Sequence, residues 1–162
     1  MGSVDSNLGK VDHSSLRVNQ ALIIILLLAA FILNLPVLAA IVAVLMLGGA
    51  IIGRPGFFFI YTLVLRPIGL VKPHVIPDNP EPHRFAQGFG GVVTAASAVS
   101  LLLGNSALGW ILSWVVVALA ALNLFAGFCA GCAVYYWLRR LNIPGFTKNP
   151  PAGVFPGMRP RS

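Results

Sequence analysis

Acidic side chains are nearly missing from this sequence. Asp5, Asp12, Asp78 and Glu81 are the only four, set against eleven Lys and Arg. So few carboxylates leave little room for paired-carboxylate acid–base chemistry. Charge of either sign is scarce too, at 9% of 162 residues while 57% are apolar. Soluble domains carry about 25% charged residues, so this chain could not coat a water-facing surface. That excludes a soluble single-domain enzyme, and the apolar content excludes a disordered chain. There is no Ser-His-Asp pattern, no haem-attachment motif and no convincing internal repeat. Gly88-Phe-Gly-Gly91 lacks the strand and spacing of a dinucleotide fingerprint.

What is present comes in apolar blocks: Ala21 to Gly53, Phe57 to Leu65, Phe85 to Leu103 and Ala107 to Leu138, none holding a charged residue. A helical crossing needs about 20 residues. The first block is too long for one crossing, and Asn34-Leu-Pro36 at its middle reads as a turn. The expected fold is all-α: an integral membrane bundle of four transmembrane helices, two helical hairpins, with spans at 18–33, 36–53, 85–103 and 107–138. The last span is expected to be one helix carrying Trp110 to Trp137 across roughly 40 Å.

Every Lys and Arg then falls on one side of the membrane. Lys10 and Arg17 precede the first span, Arg54, Arg66, Lys72 and Arg84 lie between the second and third, and Arg139, Arg140, Lys148, Arg159 and Arg161 follow the fourth. The positive-inside rule makes that side cytoplasmic. The expectation is a multi-pass protein of the cell (inner) membrane with both termini cytoplasmic. The first apolar block runs directly into a second helix, unlike a cleaved signal. Basic residues at helix ends suit orientation and anionic headgroups. No basic stripe interleaved with aromatics suggests nucleic acid.

Residues 1–16 read as a cytoplasmic lead, mobile as far as Arg17, before a transmembrane domain over 17–141. The segment 57–65 is too short to cross and suits an interfacial helix, with a re-entrant segment as the alternative. Residues 67–83, with Pro67, Pro73, Pro77, Pro80 and Pro82, read as a non-helical strap. Residues 142–162 form a proline-rich cytoplasmic tail.

Cys129 and Cys132 are the only cysteines and stand in Gly127-Phe-Cys-Ala-Gly-Cys132. Three readings stay open. One is packing, with Gly127 and Gly131 as a small-residue patch. Another is a dithiol/disulfide pair, whose spacing permits exchange. The third is a metal site completed by His74 or His83, although two cysteines alone make half a zinc site. A reduced cytoplasm disfavours a permanent structural disulfide. On a continuous helix Cys132 lies nearer the cytosol, which makes it the attacking thiol and Cys129 the resolving one. Arg84 and Gln87 are candidates for supporting a thiolate. Asn19, Gln20, Gly88, Gly91 and Asn123 complete a small-residue and amide cluster at the same depth, either bonded among themselves or lining a narrow polar pocket. Asn123 is expected to bridge helices by a hydrogen bond. His13, His74 and His83 are expected in solvated loops. No cofactor and no bound metal are expected.

Val11-Asp12 with Leu16-Arg17-Val-Asn-Gln-Ala21, Pro82-His-Arg-Phe-Ala-Gln-Gly88 and Gly127-Phe-Cys-Ala-Gly-Cys132 together resemble a bacterial membrane-protein family described as domain of unknown function 4395. The resemblance covers about Val11 to Leu141. It implies a four-helix membrane protein with signature positions Arg17, Asn19, Gln20, Arg84, Gln87, Cys129 and Cys132. It also implies companionship with thioredoxin-like and rhodanese-like (sulfurtransferase) proteins, favouring thiol or sulfane-sulfur exchange with a cytoplasmic partner. The competing expectations are an accessory subunit of a larger membrane complex, and a small-solute or sulfur-anion conduit formed by an oligomer. Whether the chain is an enzyme is left open.

Overall fold

A computed structural model describes residues 9–160. In chain order the elements are β1 (Gly9–Asp12), α1 (His13–Ile32), α2 (Pro36–Ile52), the short α3 (Phe58–Ile60) running into a π-helical turn (Tyr61–Leu65), β2 (Val75–Asp78), α4 (Pro80–Leu102), α5 (Ser106–Ala126) and α6 (Ala130–Arg140). Three helices, α1, α4 and α5, are long and apolar enough to cross a membrane, and α2 is a shorter apolar helix. The four long helices pack in a ring: α1 against α2 and α5, and α4 against α2 and α5, with α6 docked on α4.

The interior mixes small residues with a core of Ile23, Leu27, Met46 and Leu101. Ala30, Ala39, Thr94 and Ser97 are wholly buried, while Ile32, Val44, Ile51 and Leu103 are exposed. Water would drive the opposite distribution. In lipid, association instead comes from close helix approach and interhelical hydrogen bonds. Ser97 Oγ donates across to the Gly109 carbonyl of α5 at 2.7 Å, where a side chain on Gly109 would collide with Leu101. At the end remote from the basic residues, Phe31 meets Trp110 and Trp114 edge to face at 5.2 and 5.5 Å.

Four expectations change. Residues 9–16 are ordered structure: β1 pairs antiparallel with β2 in the register Gly9↔Asp78 to Asp12↔Val75, and α1 begins at His13; the part of the lead at 1–8 lies outside the described residues. The strap is shorter than expected, because Pro80 and Pro82 fall in the first turn of α4, where proline's missing N–H costs nothing. Strand β2 tolerates Pro77 as the outer strand of a two-stranded ribbon. The segment 57–65 is helical, yet Phe57 and Tyr61 are buried against the bundle.

The fourth correction matters most for chemistry. The block 107–138 is two helices, broken where Gly127 takes a left-handed conformation (φ 66°) and caps α5. Glycine enters that region without strain, so Gly127 is a helix stop and not half of a packing patch. Gly131 does pack: a β-carbon there would lie 2.7 Å from Ala86 Cα of α4. The 21 residues of α5 already span about 31 Å.

Asp12 gathers the basic end of the molecule. Its carboxylate caps α1 through the Ser14 N–H at 3.0 Å and accepts the His74 N–H at 3.1 Å and the Tyr61 hydroxyl at 2.6 Å. Burial, then the Asp12 hydrogen bond and charge, push the Tyr61 phenol up to about 12. Asp12→Ala should cost about 2 kcal/mol, since a lost cap alone costs about 0.5–2 kcal/mol and two donors lose their acceptor. Thermal unfolding in detergent measures it, and Asp12→Asn, an equally good cap, should recover most of the loss.

Candidate functional site

The break at Gly127 sends the chain back toward the bundle, and Cys129 becomes the N-cap of α6. Cys129 and Cys132 are joined as a disulfide, the closed form of the dithiol/disulfide pair that the spacing permits. Both are buried, at 6% and 3% exposure. Cys129 Sγ accepts the Cys132 N–H at 3.2 Å, an arrangement in which the free amides of a first helical turn favour negative charge on sulfur. Residues 142–160 of the tail hold no helix or strand, and they dock on the sulfur pair. The Gly157 carbonyl accepts the Cys129 N–H at 2.7 Å and the Arg159 N–H reaches the Gly127 carbonyl at 2.9 Å. Phe128 and Met158 form an isolated antiparallel bridge.

Two histidines and a carboxylate stand beside the sulfurs. His83, in the first turn of α4, places Nδ1 3.5 Å from Cys132 Sγ. Its Nε2 lies 2.9 Å from Asp78 Oδ2. His13, at the start of α1, puts Nε2 on the same oxygen at 3.0 Å, with the two imidazoles edge to face. Asp78 Oδ1 accepts the Asn79 N–H at 2.8 Å. Burial raises the Asp78 carboxyl, but hydrogen bonds from His13 and His83, the His83 charge and the Asn79 N–H outweigh it and hold the group well below the ordinary carboxylate range. An ionised carboxylate only accepts, so both Nε2 atoms carry protons. In neutral His83 the lone pair is then on Nδ1, aimed at Cys132.

His13 is therefore buried, at 2% exposure, and His83 is engaged on both nitrogens; neither is a solvated loop histidine. His74 is exposed, and its carbonyl accepts the His13 N–H. Arg84 and Gln87 direct their hydrogen bonds away from the sulfurs. Arg84 donates to the Ala50 and Ile51 carbonyls, and Gln87 to Met46 and Arg54 at 3.0 and 3.1 Å. Arg84 thus satisfies carbonyls that the C-terminus of α2 leaves open, and Gln87 ties the body of α2 at Met46 to the turn that follows it at Arg54. Gly91 lets α4 approach Leu47, while Gly88 has ordinary room beside Ala50. Asn19 Oδ1 accepts the Phe57 N–H at 3.1 Å. Asn123 bridges through its backbone carbonyl, which accepts from Arg159 at 3.2 Å, and not through its side chain.

Two cavities flank Cys129. The larger, about 100 Å³, is lined by Asn19, Gln20, Gln87, Asn123 and Cys129 at one end and by apolar residues of α1, α4 and α5 beyond. The smaller, about 20 Å³, has polar walls that include His13, Asp78, His83 and Arg159 and has room for a single water. Ligand atoms of His83, Cys129 and Cys132 lie within 4.8 Å of one another, as do those of His13, Asp78 and His83. With the sulfurs reduced, the first set offers a Cys₂His donor set whose histidine is oriented by a carboxylate, the usual outer-shell partner of a metal-bound imidazole; His74 takes no part in it. His13 and Asp78 escaped the sequence reading because the strand pairing that joins them links positions 65 apart in sequence. The available signal was scarcity: with so few acids in the chain, one beside three histidines was worth pairing.

A family model described as Domain of unknown function (DUF4395) matches residues 11–140. No curated protein and no solved structure matches the chain.

The depressed Asp78 group sets a pH dependence. Its contribution to stability is complete above the ordinary aspartate value of about 3.9 and is lost as pH falls from there through the lower folded-state value. Melting temperature should therefore drop on acidification below about pH 4, and Asp78→Asn should weaken that acid dependence while lowering stability at neutral pH.

Proposed function

The chain belongs to the family described as Domain of unknown function (DUF4395), which carries no assigned reaction, and on that premise we propose that it is a membrane-embedded thiol–disulfide exchange protein. One observation carries the reading: a sulfur pair in the first turn of α6 whose Cys132 Sγ faces His83 Nδ1 at 3.5 Å, with the far side of that imidazole anchored on Asp78. This is the thiol–base–orienting carboxylate arrangement of activated cysteines.

The exchange balances as follows. A partner thiol gives its proton to His83 Nδ1 as its sulfur attacks Cys129, the Cys129–Cys132 bond breaks, and Cys132 leaves and takes that proton from His83. A second thiol of the partner, losing its own proton, attacks the partner's sulfur in the mixed disulfide and releases Cys129. The partner ends as a disulfide and this protein as a dithiol, holding two electrons. Cys129 is given the outer role because it borders both cavities. The opposite order rested on depth along one continuous helix, and the break at Gly127 removes that basis.

The placement we propose is four crossings in the cell membrane, with α2 as the shortest, both termini on the cytoplasmic side and the strap, tail and sulfurs there too. The partner is then a soluble thioredoxin-like or rhodanese-like protein exchanging electrons or sulfane sulfur. A 17-residue α2 reaches about 26 Å, within the range of a short or locally thinned crossing. Reporter fusions after Asn105 and after Ser162 should fall in opposite compartments, and the same compartment for both would overturn the placement.

Thiol labelling of membranes tests the chemistry. Wild-type protein should cycle between two labelled thiols and none, and Cys132→Ser should accumulate the mixed disulfide. His83→Ala should slow exchange about 100-fold, within the range for general acid–base groups. Unchanged exchange in His83→Ala, or full complementation of a deletion strain by Cys129→Ala/Cys132→Ala, would defeat the proposal in favour of an accessory-subunit role.

A further inference from the structure

The larger cavity asks for a different kind of molecule from the one that meets the sulfurs on the polar side. Its lining holds no Asp, Glu, Lys or Arg, and His83 and Cys129 are its only ionisable side chains, so most of its wall has nothing to hold a charged, water-soluble oxidant. Phe89 and Val115 line it while being 56% and 45% exposed on the outer face of the bundle. Those two residues lie within helices long and apolar enough to cross a membrane. The cleft therefore opens sideways, where lipid would stand, and not along the helix axes toward water. Ile23, Val93, Val116 and Ala120 line it as well, and Cys129 is among its lining residues.

The polar part of the cavity also carries a donor. Asn19 lines the cavity, and its Oδ1 is taken by the Phe57 N–H, which leaves the amide N–H₂ as the group it can offer a ligand. An amide N–H₂ at the wall of a largely apolar cleft suits a ligand oxygen. The required ligand is flat, apolar, bilayer-soluble and carbonyl-bearing, and it must be able to react with a dithiol. We propose that this cavity binds the ring of a membrane quinone, which reoxidises the Cys129–Cys132 pair. A cavity that takes in a whole benzene ring is about 150 Å³, so this cleft of about 100 Å³ receives one edge of a quinone ring, with the rest of the ring and its tail left in the lipid.

The step balances within the site. Cys129 thiolate adds to a ring carbon, forming a C–S bond. His83 Nδ1 takes the Cys132 proton, and the Cys132 thiolate attacks Cys129 sulfur. The S–S bond forms, the C–S bond breaks, and its electron pair leaves with the ring. Two protons, the one on His83 and the one Cys129 lost, complete the hydroquinone. Two electrons pass from the sulfurs to the quinone, which the membrane carries away.

This inference rests on the thiol-exchange reading, and the experiment separates the two. Full-length protein in nanodiscs is reduced with dithiothreitol, freed of reductant, and mixed anaerobically with a short-tailed ubiquinone or menaquinone analogue. Quinone absorbance and protein thiols are followed together. One hydroquinone should form per two thiols lost. Ala120→Phe and, on the opposite wall, Val93→Phe should each slow this at least tenfold, and Asn19→Leu should raise the half-saturating quinone concentration about tenfold, the effect of one lost hydrogen bond. Opening of each variant's disulfide by soluble dithiol checks that it is folded. If wild-type thiols cycle with soluble dithiols but survive quinone, or if both blocked variants react as fast as wild type, the cleft holds lipid only and the inference fails. If the disulfide cannot be opened and reclosed at all, the parent reading fails with it.

Discussion

A single carboxylate oxygen organises the basic end of this molecule. Asp78 Oδ2 receives both His13 and His83, and those two histidines begin α1 and α4. The carboxylate itself is delivered by β2, whose pairing with β1 brings Gly9 opposite Asp78. Two helix starts and one extended strap thus converge on one buried charge. A buried ion without partners would be expensive, so the ribbon, the helix starts and the imidazole geometry must form together or not at all. The position of His83 against Cys132 is a by-product of that requirement.

The membrane-facing part obeys a separate logic. Its helices approach through glycine, alanine and serine around a core of Ile23, Leu27, Met46 and Leu101, and many other large apolar side chains face outward. Hydrogen bonds add specificity to that core: Ser97 to Gly109, Asn19 to Phe57, Arg84 to the end of α2 and Gln87 to Met46. These last two were natural suspects for binding a thiolate, since they sit at the right depth. Helix ends have a prior claim on such donors, because carbonyls in a bilayer have no water to turn to.

The long helices and the hairpin turns were legible in the sequence because hydropathy and Pro36 are local signals. The span ending at Ile52 and the start at Pro36 came out within one residue. The break within 107–138 was not legible, because hydropathy runs on through Gly127 and only the backbone conformation ends the helix. A glycine three residues before an amphipathic, arginine-terminated stretch was the clue, and the Gly-x-x-x-Gly spacing concealed it. The sulfur pair was found, since two cysteines in such a chain are conspicuous. Its partners His13 and Asp78 were not, because their meeting depends on strand pairing between two four-residue segments that no periodicity announces.

The break at Gly127 is what gives the sulfur pair its setting. Had the helix continued, both sulfurs would have lain on its side, with their backbone amides spent inside the helix. Ending α5 and restarting at Ala130 frees a set of first-turn amides, turns the Cys132 N–H onto Cys129 Sγ, and sets the pair at the level where α4 begins. There Cys129 borders a polar pocket holding Asp78 and both histidines on one side and an apolar cleft on the other. A disulfide at such a boundary can meet a water-borne reactant and a lipid-borne one without moving either across the interface. Two small residues sustain the arrangement: Gly127, whose left-handed turn ends α5, and Gly131, which lets α6 settle against Ala86.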